Sequence, residues 1–249
     1  MIKSILVPVR GDGMVATVLG HAAELAKKHN ATVDVVHCRA QAHDLMPPGL
    51  SLNDFARKVM MEQAAELANR QEDHLRGILR RLSRDFGLTD KPISGGFANC
   101  TFSEKEGRMA DVVKQAGRLA DLIVLPKPQR ERNLGQSSLK SALYGAGRPV
   151  LVCPGQLLPD DTFAEHVAIG WNGSLPASRA VASSLDIVRY AKRVSIVTDG
   201  KLQPHGPTVE ELINYYATRG INAEVVKFSG QEPSKALLAT SKDIKASLL

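Results

Sequence analysis

Short apolar runs alternate with amphipathic stretches along most of the chain. Ile5 to Val9 is an apolar run closed by RGDG, the pattern of a buried strand and a turn. VLGHAAELAKKHN follows, with Leu19, Ala22, Ala23, Leu25 and Ala26 at helical spacing and Asn30 suited to the helix end. ATVDVVHC is rich in β-branched residues and predicts a second strand. Strand, helix and strand in this order imply a right-handed crossover between parallel strands. Residues 39–53 carry Pro47, Pro48 and Gly49 and predict a loop. A long helical pattern then runs from about Asp54, a candidate cap, to Phe86, with Gly87 as its stop. KPISGGFANC predicts a weaker strand broken by two glycines, and GRMADVVKQAGRLA a helix. DLIVLP, SSLKSALYGA and PVLVCP predict a strand, a short helix and a fifth strand. Five strands alternating with four helices predict a doubly wound α/β sheet over residues 1–154.

Residues 155–163 read as a linker, overlapping PGQLLPDDT (154–162) with its prolines and paired acids. After it the pattern restarts over residues 164–249. HVAIGWNGS is a strand and turn, LPASRAVASSLDIVRYA a helix and KRVSIVTD a strand. TVEELINYYATRG, INAEVVKFS and EPSKALLATSKDI continue as helix, strand and helix. The order of the opening residues thus recurs at an offset of roughly 160 residues, which predicts a duplicated domain. The second copy runs only into ASLL, where ADLIVLP of the first copy begins its fourth strand. The expectation is a second copy truncated before its fourth strand, either in a shortened chain or in one whose sheet a partner completes.

Composition narrows the picture. Of 249 residues, 43% are hydrophobic but only 4% aromatic, so the core is expected to be aliphatic. The net charge of +6 is spread among mixed charges, as in NRQEDHLRGILRRLSRDF. That pattern fits a solvated helix face and not a nucleic-acid surface. No run reaches the roughly 18 apolar residues of a membrane span, and MIKSILVPVRGDG lacks the features of a signal peptide, so a cytosolic protein is expected. The three cysteines, Cys38, Cys100 and Cys153, are too few and too scattered for a disulfide framework or a zinc site. His21, His29, His43 and His74 have no matching carboxylate or cysteine pattern and are expected at the surface or at caps. Met46, Met60 and Met61 are expected to pack against the sheet. There is no G-x-S-x-G elbow and no H-E-x-x-H helix, so no catalytic residue and no metal ligand is singled out.

ILVPVRGDG and HVAIGWNGSLPASRAVASSLDIVRYAKRVSIV resemble the universal stress protein family in its tandem-domain form. ADLIVLP and GRPVLVCP are similar to the family's fourth and fifth strands. The resemblance implies a five-stranded parallel sheet in the order 3-2-1-4-5. It also implies a homodimer or an intramolecular pseudo-dimer, and ATP as a ligand of some members. Members that bind ATP carry G-x2-G-x9-G-[ST] after the fourth strand, where glycines admit the phosphates and backbone N–H groups hold them. Here Pro126 and Gln129 stand at the first two glycine positions, and Gly135-Gln136-Ser137 only approximates the last pair. Pro126 and Pro128 also lack N–H donors. An acidic residue after the first strand is matched by Asp12, displaced within RGDG. Lys127, Arg130 and Arg132 offer a rival, side-chain route to an anion or an acidic partner, beside the plainer reading of a solvated loop.

In the second copy Asn172, Gly173 and Ser174 resemble the family's nucleoside-contacting turn, with Asn for the usual Asp. They fit equally a turn in which Ser174 caps a helix and Pro176 lies in its first turn. In the implied strand order Cys38 and Cys100 end neighbouring strands, as a redox pair or as small buried hydrophobes, and Cys153 ends the edge strand. The function implied is a stress-response binding and regulatory protein without catalytic machinery, whose first domain does not bind nucleotide. Two alternatives stand beside it: an ATP-binding, slowly hydrolysing protein with its site in the second domain, and an adaptor that binds a partner through the basic loop.

Overall fold

The structure is a computed structural model that describes residues 1–9, 14–39, 53–89, 98–129, 131, 135–156 and 162–249; residues 57, 64, 67, 68 and 71 are described by their backbone alone. The chain divides into two compact units, Met1–Leu157 and Leu158–Leu249.

In the first unit the apolar run at the N-terminus forms β1 (Ser4–Val9), and the helical pattern after it forms α1 (Val15–His29). Asn30 ends α1 in the left-handed conformation, φ 50°, with its N–H bonded to Ala26 O. Then come β2 (Thr32–Arg39), α2 (Asp54–Asp85), β3 (Asn99–Glu106), α3 (Met109–Gly117) and β4 (Leu122–Pro126). A six-residue α4 (Gln136–Ser141) runs on as a π-helical turn (Ala142–Ala146), and β5 (Val150–Cys153) ends the unit. All strand pairs are parallel and the order is β3-β2-β1-β4-β5, the order the resemblance implies.

Alternation along the strands sorts the core into two layers. Leu6, Val36, Ile123 and Leu125 pack with Val112 and Val113 of α3 and with Ala142 and Ala146 of the π turn. Ile5, Val7, Val33 and Val35 point to the other face, fully buried, where α1 contributes Leu19, Ala22 and Ala23. Each fully buried Val, Leu or Ile among these stabilises the fold by about 1.5–3 kcal/mol. The Asp121 carboxylate fastens β1 beside β4 by accepting from the backbone N–H of Lys3 at 2.8 Å and of Ser4 at 3.0 Å.

The second unit holds β6 (His166–Gly170), α5 (Leu175–Val188), β7 (Arg193–Thr198), α6 (Val209–Ala217), β8 (Ala223–Lys227) and α7 (Pro233–Asp243). Its sheet is parallel, in the order β6-β7-β8, and fits a second copy of β1-β2-β3. The edge of β6 away from β7 carries an isolated parallel bridge between Val167 and Leu248. It matches the Ile5–Leu122 pair that joins β1 to β4. Even the lead-in agrees: Asp121 N–H donates to Ser4 O, and Ser247 N–H to His166 O, both at 2.9 Å.

Several expectations are corrected. The cap of α2 is Asn53, not Asp54; its Oδ1 accepts from Ala56 N–H at 2.8 Å. β3 lies later than expected, over the polar run NCTFSEKE, because pairing with all of β2 holds it in place where side-chain hydrophobicity does not. Residues 90–97, most of the expected strand, lie outside the described residues. His21 and His29 are buried, since α1 packs on the sheet by a face wide enough to include them. Met60 and Met61 are 40% and 43% exposed on the first half of α2, and Met46 lies outside the described residues. Cys38 and Cys100 are not a pair. Cys100 is opposite Val33 and Cys38 opposite Lys105, five register steps apart and on opposite faces of the sheet.

Candidate functional site

Ligands of open parallel sheets bind outside the carboxyl ends of the strands. In the first unit that region is built from the connection between β4 and α4. Three successive residues there offer no free backbone donor. Pro126 and Pro128 have none, and the N–H of Lys127 donates to Cys153 O at 2.8 Å, extending the pairing of β4 with β5. The Lys127 side chain is exposed.

Beyond this, Gly135 adopts φ 84° and opens α4. A Cβ there would sit 3.4 Å from Pro128 Cα, so the two ends of the connection lie against each other. Gln136 and Ser137 are exposed in the first turn of α4, and Ser138 is buried. Asp12, Arg130 and Arg132 lie outside the described residues.

In the second unit the turn after β6 brings Asn172, Gly173 and Ser174 together, and each is engaged within the chain. The Asn172 Oδ1 accepts from Ser174 N–H at 3.1 Å, and its backbone carbonyl accepts from Gln203 N–H at 2.8 Å. Ser174 is the N-cap of α5; its Oγ accepts from Ala177 N–H at 3.4 Å, and a proline lies in the first turn. Gly173 adopts φ 71°, and a Cβ on it would lie 3.0 Å from Pro207 O. A Cβ on Gly206 would lie 2.4 Å from Gly173 O. The turn after β6 and the loop after β7 are therefore in direct backbone contact, and glycine is needed on both sides.

Sequence reasoning missed a polar chain across this second sheet. His166 Nε2 lies 2.8 Å from Ser195 Oγ, which donates to Glu224 Oε1 at 2.7 Å; Arg193 Nε also donates to Glu224 at 2.7 Å. The signal was present as His, Ser and Glu at one alternating face of apolar strands. With the Ser195 proton directed at Glu224, the His166 N–H donates to the hydroxyl oxygen. A nucleophilic serine would instead give its proton to the histidine, and Ser195 is fully buried. This chain joins three strands and does not form a hydrolytic centre. Hydrogen bonds from Ser195 and then from Arg193 hold the Glu224 carboxyl below its ordinary range. Among the described residues no group of three His, Cys, Asp or Glu side chains is placed to hold a metal ion.

The model of the universal stress protein family matches residues 1–154. A universal stress protein from Archaeoglobus fulgidus DSM 4304 is similar in structure, with 16% identity, a TM-score of 0.67, and coverage of 98% of this chain and 84% of that one. A universal stress protein from Lactobacillus plantarum is 14% identical at a TM-score of 0.44, over 61% of this chain and 97% of that one. Another from Archaeoglobus fulgidus, in complex with dAMP, is 20% identical at a TM-score of 0.33, over 61% of this chain and 99% of that one. No curated protein matches.

Proposed function

The chain belongs to the universal stress protein family, and from that premise we propose that it is a cytosolic binding and regulatory module, acting in stress response, whose first unit does not hold a nucleotide. The observation that carries this reading is the donor-free stretch Pro126-Lys127-Pro128. A phosphate cradle needs several convergent backbone N–H groups. Two of these three residues lack one, and the third is spent on Cys153 O. The engagement of Asn172 and Ser174 within their own turn supports the same reading for the second unit. The direction of the His166–Ser195–Glu224 chain supports binding over hydrolysis.

Calorimetric titration of the full chain with ATP and Mg²⁺ tests the proposal. No heat of binding is expected up to millimolar nucleotide. Micromolar binding that disappears in a Ser137→Ala or Lys127→Ala variant would overturn the reading of the first unit. Micromolar binding that instead disappears on Asn172→Ala would move the site to the second unit and favour the ATP-binding alternative. Lys127 keeps the adaptor reading open to a direct test. If the chain docks an acidic partner there, Lys127→Glu weakens the complex while leaving the folded spectrum unchanged.

A further inference from the structure

α3 and the π-helical turn pack side by side, and their outer surfaces form one patch. Glycine makes the contact close. A Cβ on Gly117 would lie 2.9 Å from the Ala146 methyl, and one on Gly145 would lie 2.9 Å from Lys114 Cγ. The stem of Lys114 therefore lies along Gly145, and Lys114 is exposed. The far ends of the two elements are tied as well. Arg148 donates to Arg118 O from Nη2 at 2.7 Å and from Nε at 3.1 Å, and both arginines are exposed. Tyr144 stands among these groups and is 87% exposed. Lys140 is one helical turn before it, also exposed, and the next residue, Gly145, carries the contact with Lys114.

Two observations separate this patch from an ordinary solvated surface. The first is charge of one sign. Lys114, Arg118, Lys140 and Arg148 make no ion pair among the described residues. Elsewhere arginines are matched within the chain, Arg70 with Glu66 and Arg193 with Glu224. Of the carboxylates around α3, Asp111 is in its first turn, and Asp121 is engaged with the N–H groups of Lys3 and Ser4. The second observation is exposed apolar surface. Leu119, next to Arg118, is 87% exposed, and Leu143, next to Tyr144, is 51% exposed. A single exposed leucine needs no explanation. Two of them with a tyrosine inside a basic patch have the make-up of a binding surface, an aromatic anchor with a charged rim.

We propose that this face docks an acidic segment of a partner protein, whose carboxylates meet the four cations and whose apolar side chain covers Tyr144. The chemistry selects the class. Four unmatched cations call for an anionic partner. The leucines call for apolar side chains, which a phosphate backbone does not offer. A second copy of the chain would bring the same cations to a twofold contact here, so self-association through this face is opposed. The patch is small beside the roughly 20–30 residues on each side of a standard interface, so the complex is transient and sensitive to salt. α3 and the π turn both lead back to the amino ends of the strands that follow them. The patch is therefore at the opposite end of the sheet from the β4–α4 connection. The inference rests on the reading of the chain as a binding module, and gives it a partner class and a surface other than the Lys127 loop.

Fluorescence anisotropy with the full chain tests this. The probes are labelled acidic peptides of about a dozen residues, each with Leu, Phe or Trp among Asp and Glu, and a labelled single-stranded oligonucleotide of similar charge. Peptide binding is expected with a Kd of about 10–100 μM at low salt, weaker when serine replaces the apolar residue. It is expected to weaken at least about tenfold in Tyr144→Ala and in Lys140→Glu. Both residues are exposed, so the urea midpoint of each variant should match that of the wild type. Lys127→Glu should leave the binding unchanged. No peptide binding up to about 0.5 mM chain, or binding indifferent to both substitutions, overturns the proposal. So does binding that only Lys127→Glu removes, or tighter binding of the oligonucleotide than of every peptide. A dimer that Lys140→Glu abolishes, seen by light scattering, would give the face to a second copy and overturn it too. ATP is absent from this assay, so its outcome and that of the calorimetric titration are separate.

Discussion

Gly173 shows how much of the second unit rests on one missing Cβ. Its φ of 71° is strained for an L-residue, and Pro207 O would stand 3.0 Å from an added methyl. Gly173→Ala is therefore expected to lower stability by about 1–3 kcal/mol in urea denaturation. A loss under a few tenths would mean that the loop after β7 yields freely. At this scale the sequence was legible wherever a residue's role depends on its own backbone. Pro126 and Pro128 announced missing donors, and Ser174 with Pro176 announced a helix start. What stayed hidden was the partner from elsewhere in the chain. Nothing local to Asn172 shows that Gln203 N–H will take its carbonyl, or that Cys153 O will take the Lys127 N–H that the prolines leave.

At the scale of elements, a cross-strand hydrogen bond recurs in both sheets with its chemistry exchanged. In the first unit Thr101 Oγ1 of β3 donates to Asp34 Oδ1 of β2 at 2.9 Å. At the matching place in the second, Ser195 of β7 donates to Glu224 of β8. Registers fix the match: Asp34 is opposite Leu6 and Thr101, and Ser195 opposite Ala168 and Glu224. The position thus holds one hydroxyl and one carboxylate in either order, which a scan for repeated residues does not detect. Ser195→Ala is expected to cost about 1–3 kcal/mol, because it strands a buried His166 donor as well as removing a charge-assisted bond. The pH dependence follows from the lowered Glu224 carboxyl. Its contribution is present above the ordinary value of 4.5 and lost as the pH falls through the lower folded value. Ser195→Ala should therefore shrink the acid-induced loss of stability, measured as the urea midpoint against pH; an unchanged acid limb would show that Arg193 alone sets Glu224. Strands with continuous apolar runs, β1, β4 and β6, were legible because burial on both faces needs no alternation. β3 was not, since its partner β2 secures a sequence that reads as solvent-exposed.

At the scale of the whole molecule, the sheet order was legible because right-handed crossovers leave few ways to arrange alternating strands and helices, and the family resemblance selected among them. The restart of strand, helix and strand in the second unit was legible in WNGS and the apolar runs around it, and the Val167–Leu248 bridge places Leu248 beside β6 as Leu122 is placed beside β1. How copies of the chain associate was not legible, since an edge strand looks the same in sequence whether it is covered or bare. β5 is such an edge: it pairs with β4 on one side, and Val152 remains 42% exposed. An uncharged strand edge invites pairing with another chain, and a lysine there blunts it. Pairing of two copies through β5 is one form that the homodimer implied by the family resemblance can take. Light scattering on the full chain is then expected to give a dimer whose dissociation constant rises at least about tenfold in Val152→Lys, a loss of roughly 1.4 kcal/mol at the interface. The substituted side chain sits at an exposed position, so the urea midpoint should hardly move. A wild-type chain that stays monomeric at every concentration, or a dimer indifferent to the lysine, would remove β5 from the interface.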